Sequence, residues 1–127
     1  MYDQELIIEI LSQILIAIER LEYRFEPVVS SDYFLDSELG LEKLDSICMV
    51  IIAIGESLKN LDKITDKKLL VKYPDIDWKR VKGMRDIISH HYFDLDAEIV
   101  FEVCQNEITP LKIELLQIKD DISNLKA

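Results

Sequence analysis

Arg85, His90, His91 and Tyr92 fall within eight residues, in the stretch MRDIISHHYFD, and the two histidines are the only ones in the chain. Histidine moves protons near neutral pH. Arginine stays ionised, and its planar fork matches a phosphoryl group on which negative charge is growing. One proton-transfer group and one cationic clamp are the minimum equipment for metal-free phosphodiester cleavage, with the 2′-hydroxyl of RNA as nucleophile. Helix geometry sets a condition on that pair. Five residues at 100° each leave Arg85 and His90 about 140° apart. Either the helix ends before His90, or the long Arg85 side chain wraps round, or the two act across a subunit boundary, as a symmetric dimer would allow. The same residues also have structural readings. Histidines near a helix C-terminus interact well with its dipole, Arg85 has Asp86 and Glu56 available as ion-pair partners, and Tyr92 can serve as packing.

Glu56 interrupts the most apolar stretch of the chain, residues 47–58. A carboxylate there needs a cation or hydrogen-bond donors, and Arg85 is the natural candidate, either as a structural partner or as an arginine that Glu56 orients. Tyr73, Trp78 and Met84 read as core or rim packing rather than as a base-stacking platform.

The charge distribution matters more than its total. The 127 residues carry a net charge of −10, which excludes broad coating of duplex DNA. Residues 61–85 hold eight basic and four acidic side chains, a balance of +4, whereas the rest of the chain stands at −14. A basic patch on an acidic body focuses anionic ligands towards one place. Lys79, Arg80 and Lys82, just before the arginine and histidines, are the candidate RNA-binding patch. An ordinary solvated face is the plainer account of the same residues.

The elements that must position these groups are helical. Apolar residues at 6, 7, 10, 11, 14, 18 and 21 mark a first helix over residues 4–24, with extra apolar surface that suits a partner. Residues 27–36 read as an irregular connection, in which a short helical turn is an alternative. A second helix over residues 37–61 is apolar nearly all round until Glu56, as a helix buried between others is, and Gly55 within it suggests close helix contact. Residues 63–74 form a charged connector with a short helical turn at 66–70. Asp75 or Asp77 caps a third helix that ends within residues 89–92. Asp94 or Asp96 caps a fourth helix running to about Asn106, and Thr109-Pro110 signals the start of the last. Glycine and proline number three each, in keeping with long regular elements, and no strand pattern competes. The expectation is an all-α, antiparallel bundle of four long helices plus one shorter helix, forming one domain over residues 1–127. Cys48 and Cys104 fit buried free thiols, and with the two histidines they make no zinc spacing. No cofactor, metal site, signal peptide or membrane span is expected, and the protein reads as soluble and cytoplasmic.

These features together resemble the HepT-like branch of the HEPN superfamily, the minimal all-helical ribonuclease toxins. The resemblance rests on Arg85, the four residues DIIS, then His90, His91 and Tyr92. It extends through IGES at residues 54–57, Pro74, Trp78, GMRD at residues 83–86, HHYFD, and Thr109-Pro110-Leu111. It implies Arg85 and His90 as the catalytic pair, with His91 in the variable place between histidine and tyrosine. It also implies a homodimer whose motifs line an interface cleft, and a minimal nucleotidyltransferase antitoxin that adds AMP to Tyr92 and so blocks RNA entry by charge and volume. One departure is visible: relatives often have asparagine after the arginine, where this chain has Asp86. An acid there would either weaken the grip of Arg85 on RNA or orient it. The competing expectation is a non-catalytic HEPN module that binds a nucleotidyltransferase or a nucleotide through the same cleft.

Overall fold

The computed structural model describes residues 3–90 and 96–125, with Ser89 and His90 described by their backbone alone. Every regular element among the described residues is helical: α1 (Gln4–Phe25), α2 (Asp32–Leu35), α3 (Glu38–Ile64), α4 (Trp78–His90), α5 (Ala97–Glu102) and α6 (Ile108–Leu125). The four long helices and one shorter one are as expected, and the added element is α2. Its four residues lie in the stretch read as irregular, and it forms because Phe34 is driven fully into the core. Isoleucine and leucine from α1, α3 and α6 fill that core, including Ile7, Leu11, Ile14, Ile47, Leu58 and Leu115, each at most 1% exposed. Each such side chain contributes about 1.5–3 kcal/mol by leaving water. The Phe25 and Phe101 rings, 5.3 Å apart, join the C-terminal end of α1 to α5.

Helix starts follow local chemistry. Asp3, Ser37, Asp77 and Asp96 each accept a hydrogen bond from a backbone N–H two or three residues on, closing the N-termini of α1, α3, α4 and α5. The first turn of α3 lies so close to α2 that a Cβ on Gly40 would sit 2.0 Å from the Tyr33 carbonyl oxygen.

Three expectations are corrected or refined. Residues 66–70 form no helical turn. Asp66 and Lys67 adopt φ of +53° and +58°, and the Lys67 N–H closes onto the Asp62 carbonyl at 2.8 Å. This left-handed cap ends α3, and a single 3₁₀ turn follows only at Leu70–Lys72. Thr109-Pro110 does lie in the first turn of α6 (Ile108–Leu125), but no break precedes it. A π-helical turn, Val103–Glu107, joins α5 to α6 without a break, and the Ile108 N–H reaches back five residues to Val103. Pro110 has no N–H for the Asn106 carbonyl, and its ring crowds that carbonyl. The widened turn accommodates both effects. Third, the centre of α3 is not buried all round. Asp45, Met49, Ala53 and Glu56 form an exposed stripe, with Met49 66% exposed.

Candidate active site

α3 and α4 run antiparallel, and Gly55 marks a close approach between them. A Cβ at Gly55 would lie 3.1 Å from the Cβ of Arg85 and 3.5 Å from the Lys82 carbonyl oxygen. That approach is the helix contact expected of this glycine, and it brings the next residue of α3, Glu56, onto Arg85. Arg85 Nε lies 2.5 Å from Glu56 Oε1, and Arg85 Nη1 donates to Asp86 Oδ1 at 3.0 Å. Asp86 in turn meets Lys59 Nζ at 3.5 Å. The guanidinium is held differently along its two edges. The Asp86 edge is hydrogen-bonded. The Glu56 edge is close but misdirected, so the buried Nε–H has no aligned acceptor among the described residues. The hydrogen bond to Asp86 and then the charge of Glu56 hold the Arg85 pKa above its ordinary, already high value. Asp86 is pushed below the usual carboxylate range, first by the Arg85 hydrogen bond and then by the Lys59 charge. All four side chains are at least one third exposed, so these pairs orient the arginine more than they stabilise the fold.

The structure therefore joins Arg85 with both carboxylates that the sequence offered. It adds Lys59, which sequence reasoning missed. Its spacing of three from Glu56 was the available signal, but its partner is on another helix. α4 extends through His90, so the 140° separation in register stands, and an early helix end does not relieve it. The His90 side chain, His91 and Tyr92 lie outside the described residues. Of the basic patch, Lys82 pairs with the largely buried Asp62, and Arg80 donates to Glu107 at 2.9 Å. Lys79 is exposed with no ion pair among the described residues.

Trp78 and Met84 are buried, and Trp78 Nε1 donates to the Tyr73 carbonyl at 2.8 Å. Tyr73 itself donates to Asp121 at 2.6 Å. All three thus serve packing or tethering. Cys48 and Cys104 are free and buried, and burial pushes both thiols up to about 12. An apolar void of about 30 Å³ lies beside the π-helical turn, between Ile51, Ile54, Val81, Met84 and Val103, and neither Arg85 nor Glu56 lines it. Among the described residues no three histidine, cysteine or acidic side chains converge as metal ligands, and no helix is long and apolar enough to cross a membrane.

Residues 14–118 match the family model described as ribonuclease HepT-like. The chain belongs to the HepT-like family. One relative, from Methanocaldococcus jannaschii, bears the name "Gamma-glutamylcyclotransferase and putative RNase". It is 33% identical over 91% of this chain and 49% of its own length. A second protein of that organism, bearing the name "Putative RNase", is 39% identical over 54% of each chain. A "Probable ribonuclease HepT" of Thermococcus cleftensis is 28% identical over 76% of this chain and 80% of its own. The chain spans about half the length of the first curated relatives it matches. No solved structure matches.

Proposed function

We propose that this HepT-like chain is a metal-independent RNA endonuclease. In this reading Arg85 stabilises the pentacoordinate phosphorane formed when a 2′-hydroxyl attacks the neighbouring phosphate. His90 transfers the proton as base or acid. The observation that carries the reading is the mounting of Arg85. Gly55 lets α4 approach, Glu56 and Asp86 flank the guanidinium, and the side chain remains 36% exposed for a phosphate. Membership of the family and the names of its relatives support the same activity. The 140° between positions 85 and 90 favours a homodimer in which the two motifs face a shared cleft. The chain then acts as one cytoplasmic domain over residues 1–127, a toxin held inactive by a nucleotidyltransferase antitoxin that adds AMP to Tyr92. His91 assists within the motif, and Lys79 belongs to the RNA-binding surface.

The test uses protein purified free of any partner, with Tyr92 shown by mass spectrometry to be unmodified. RNA cleavage in excess EDTA, leaving a 2′,3′-cyclic phosphate on the upstream product, is expected. Arg85→Ala and His90→Ala should abolish it while the dimer persists. Retained cleavage in both variants refutes the assignment. No cleavage by unmodified protein favours the non-catalytic binding module.

A further inference from the structure

The charges around Arg85 cancel. Arg85 and Lys59 stand against Glu56 and Asp86, and Lys82 stands against Asp62. The uncompensated positive charge on the outer side of the α3–α4 seam therefore lies elsewhere, on Lys63 and Lys79. Both are exposed and neither has an ion pair among the described residues. Register places them in one line with the arginine. Gly55 is level with residues 82–85 of the antiparallel helix. One turn back along α4 reaches Lys79 and two turns further along α3 reach Lys63, while the Lys59 ammonium turns back to Asp86. Lys59 and Lys63 fall four apart, on the flank of α3 that adjoins α4.

Resting on the ribonuclease reading, we infer that single-stranded RNA lies along this seam. Its scissile phosphate is at Arg85, and the neighbouring phosphates run over Lys79 to Lys63. Arg80 and Lys82, although basic and adjacent in sequence, are structural ion pairs outside this track. The occupant is a single strand because the cations form one line and the rest of the chain, at −14, repels a second phosphate backbone. Seven residues of helix separate Glu56 from Lys63, about 10.5 Å. At about 3.4 Å per stacked nucleotide, that spans roughly three nucleotides on one side of the cut. Contacts of this kind read the backbone rather than the bases.

The experiment measures binding of a 2′-O-methyl oligoribonucleotide, which lacks the attacking hydroxyl, as a function of salt. Cleavage of the matching RNA is followed in parallel. Each phosphate contact contributes about 0.7 to the slope of log affinity against log salt for a single strand. Lys63→Gln/Lys79→Gln should therefore reduce the slope by about 1.4. Raising salt from about 50 to 200 mM should then weaken the double variant about sevenfold less than the parent. Arg80→Gln should leave the slope unchanged, and a dinucleotide should be cleaved far more slowly than RNA reaching three nucleotides past the cut. An unchanged slope in the double variant, with the parent cleaving normally, overturns the track and leaves the ribonuclease reading intact. A reduced slope in a protein that never cleaves supports the track and overturns the nuclease. No binding by the parent overturns both.

Discussion

Gly55→Ala sets two effects of opposite sign against each other. Alanine in place of a mid-helix glycine stabilises a helix by about 1 kcal/mol. At this position the new methyl group meets Arg85 Cβ at 3.1 Å, against an ordinary contact of 3.4 Å or more. That Cβ is fixed to the α4 backbone, so α4 itself must move by about 0.3 Å. Modest overpacking costs about 1–3 kcal/mol, so the net change in stability should lie within about 1 kcal/mol of zero. Activity should not be spared. The same displacement shifts Arg85 relative to Glu56, now 2.5 Å apart, and because misplacement by about 1 Å at a reacting centre costs about 10²-fold, about 0.3 Å should cost about fourfold. Urea unfolding should give a midpoint close to that of the parent, while RNA cleavage falls about fourfold. Gly55→Val, which adds two further methyl groups to the seam, should lose both. If Gly55→Ala gains the full helix increment and cleaves normally, the close approach of α3 and α4 is not what seats the arginine.

Gly40→Ala should behave differently, because its Cβ would stand 2.0 Å from a backbone oxygen that cannot rotate away. A loss of about 2 kcal/mol in urea unfolding is expected, the upper part of the overpacking range less the helix gain. Asp86→Asn keeps an acceptor for Arg85 Nη1 and removes one negative charge, so RNA binding should tighten and its salt dependence steepen; unchanged affinity would mean that Lys59 already cancels Asp86. Burial first, and then the Asp121 hydrogen bond, push the Tyr73 hydroxyl up to about 12. The folded state therefore holds that proton more tightly than the unfolded state, whose tyrosine titrates at about 10. The stabilisation is complete below pH 10 and is lost as pH rises towards 12. Tyr73→Phe should lower the unfolding midpoint at neutral pH and flatten that alkaline decline, which chemical unfolding across the range would register.

What the sequence made legible was chemistry confined to a few neighbouring residues. Asp77 and Asp96 announced their helices because a side-chain oxygen just ahead of a helix can accept from a free N–H of the first turn. Glu56 announced Arg85 because a carboxylate beside so many isoleucines calls for a cation. Features that depend on another element were hidden. Lys59 finds Asp86 only after Gly55 has brought α4 close. Lys82 looked like part of a nucleic-acid patch until Asp62, twenty residues earlier, came within reach. The left-handed cap at Asp66 and Lys67 uses no glycine, and it closes on a carbonyl of α3 that no local pattern marks. Pro110 correctly marked the first turn of α6, but the π-turn that joins this helix to α5 without a break had no local signal.

The seam around Gly55 also bears on regulation. Its two helices touch through backbone and Cβ atoms, with ion pairs to either side, so among the described residues the arginine backbone moves only if α4 moves against α3. A mount of this kind is set in advance and incurs little ordering entropy when an anion arrives. Under the proposed function, restraint would then come from outside the helices, as a bulky or charged group set in front of the arginine or as a second protein laid across it.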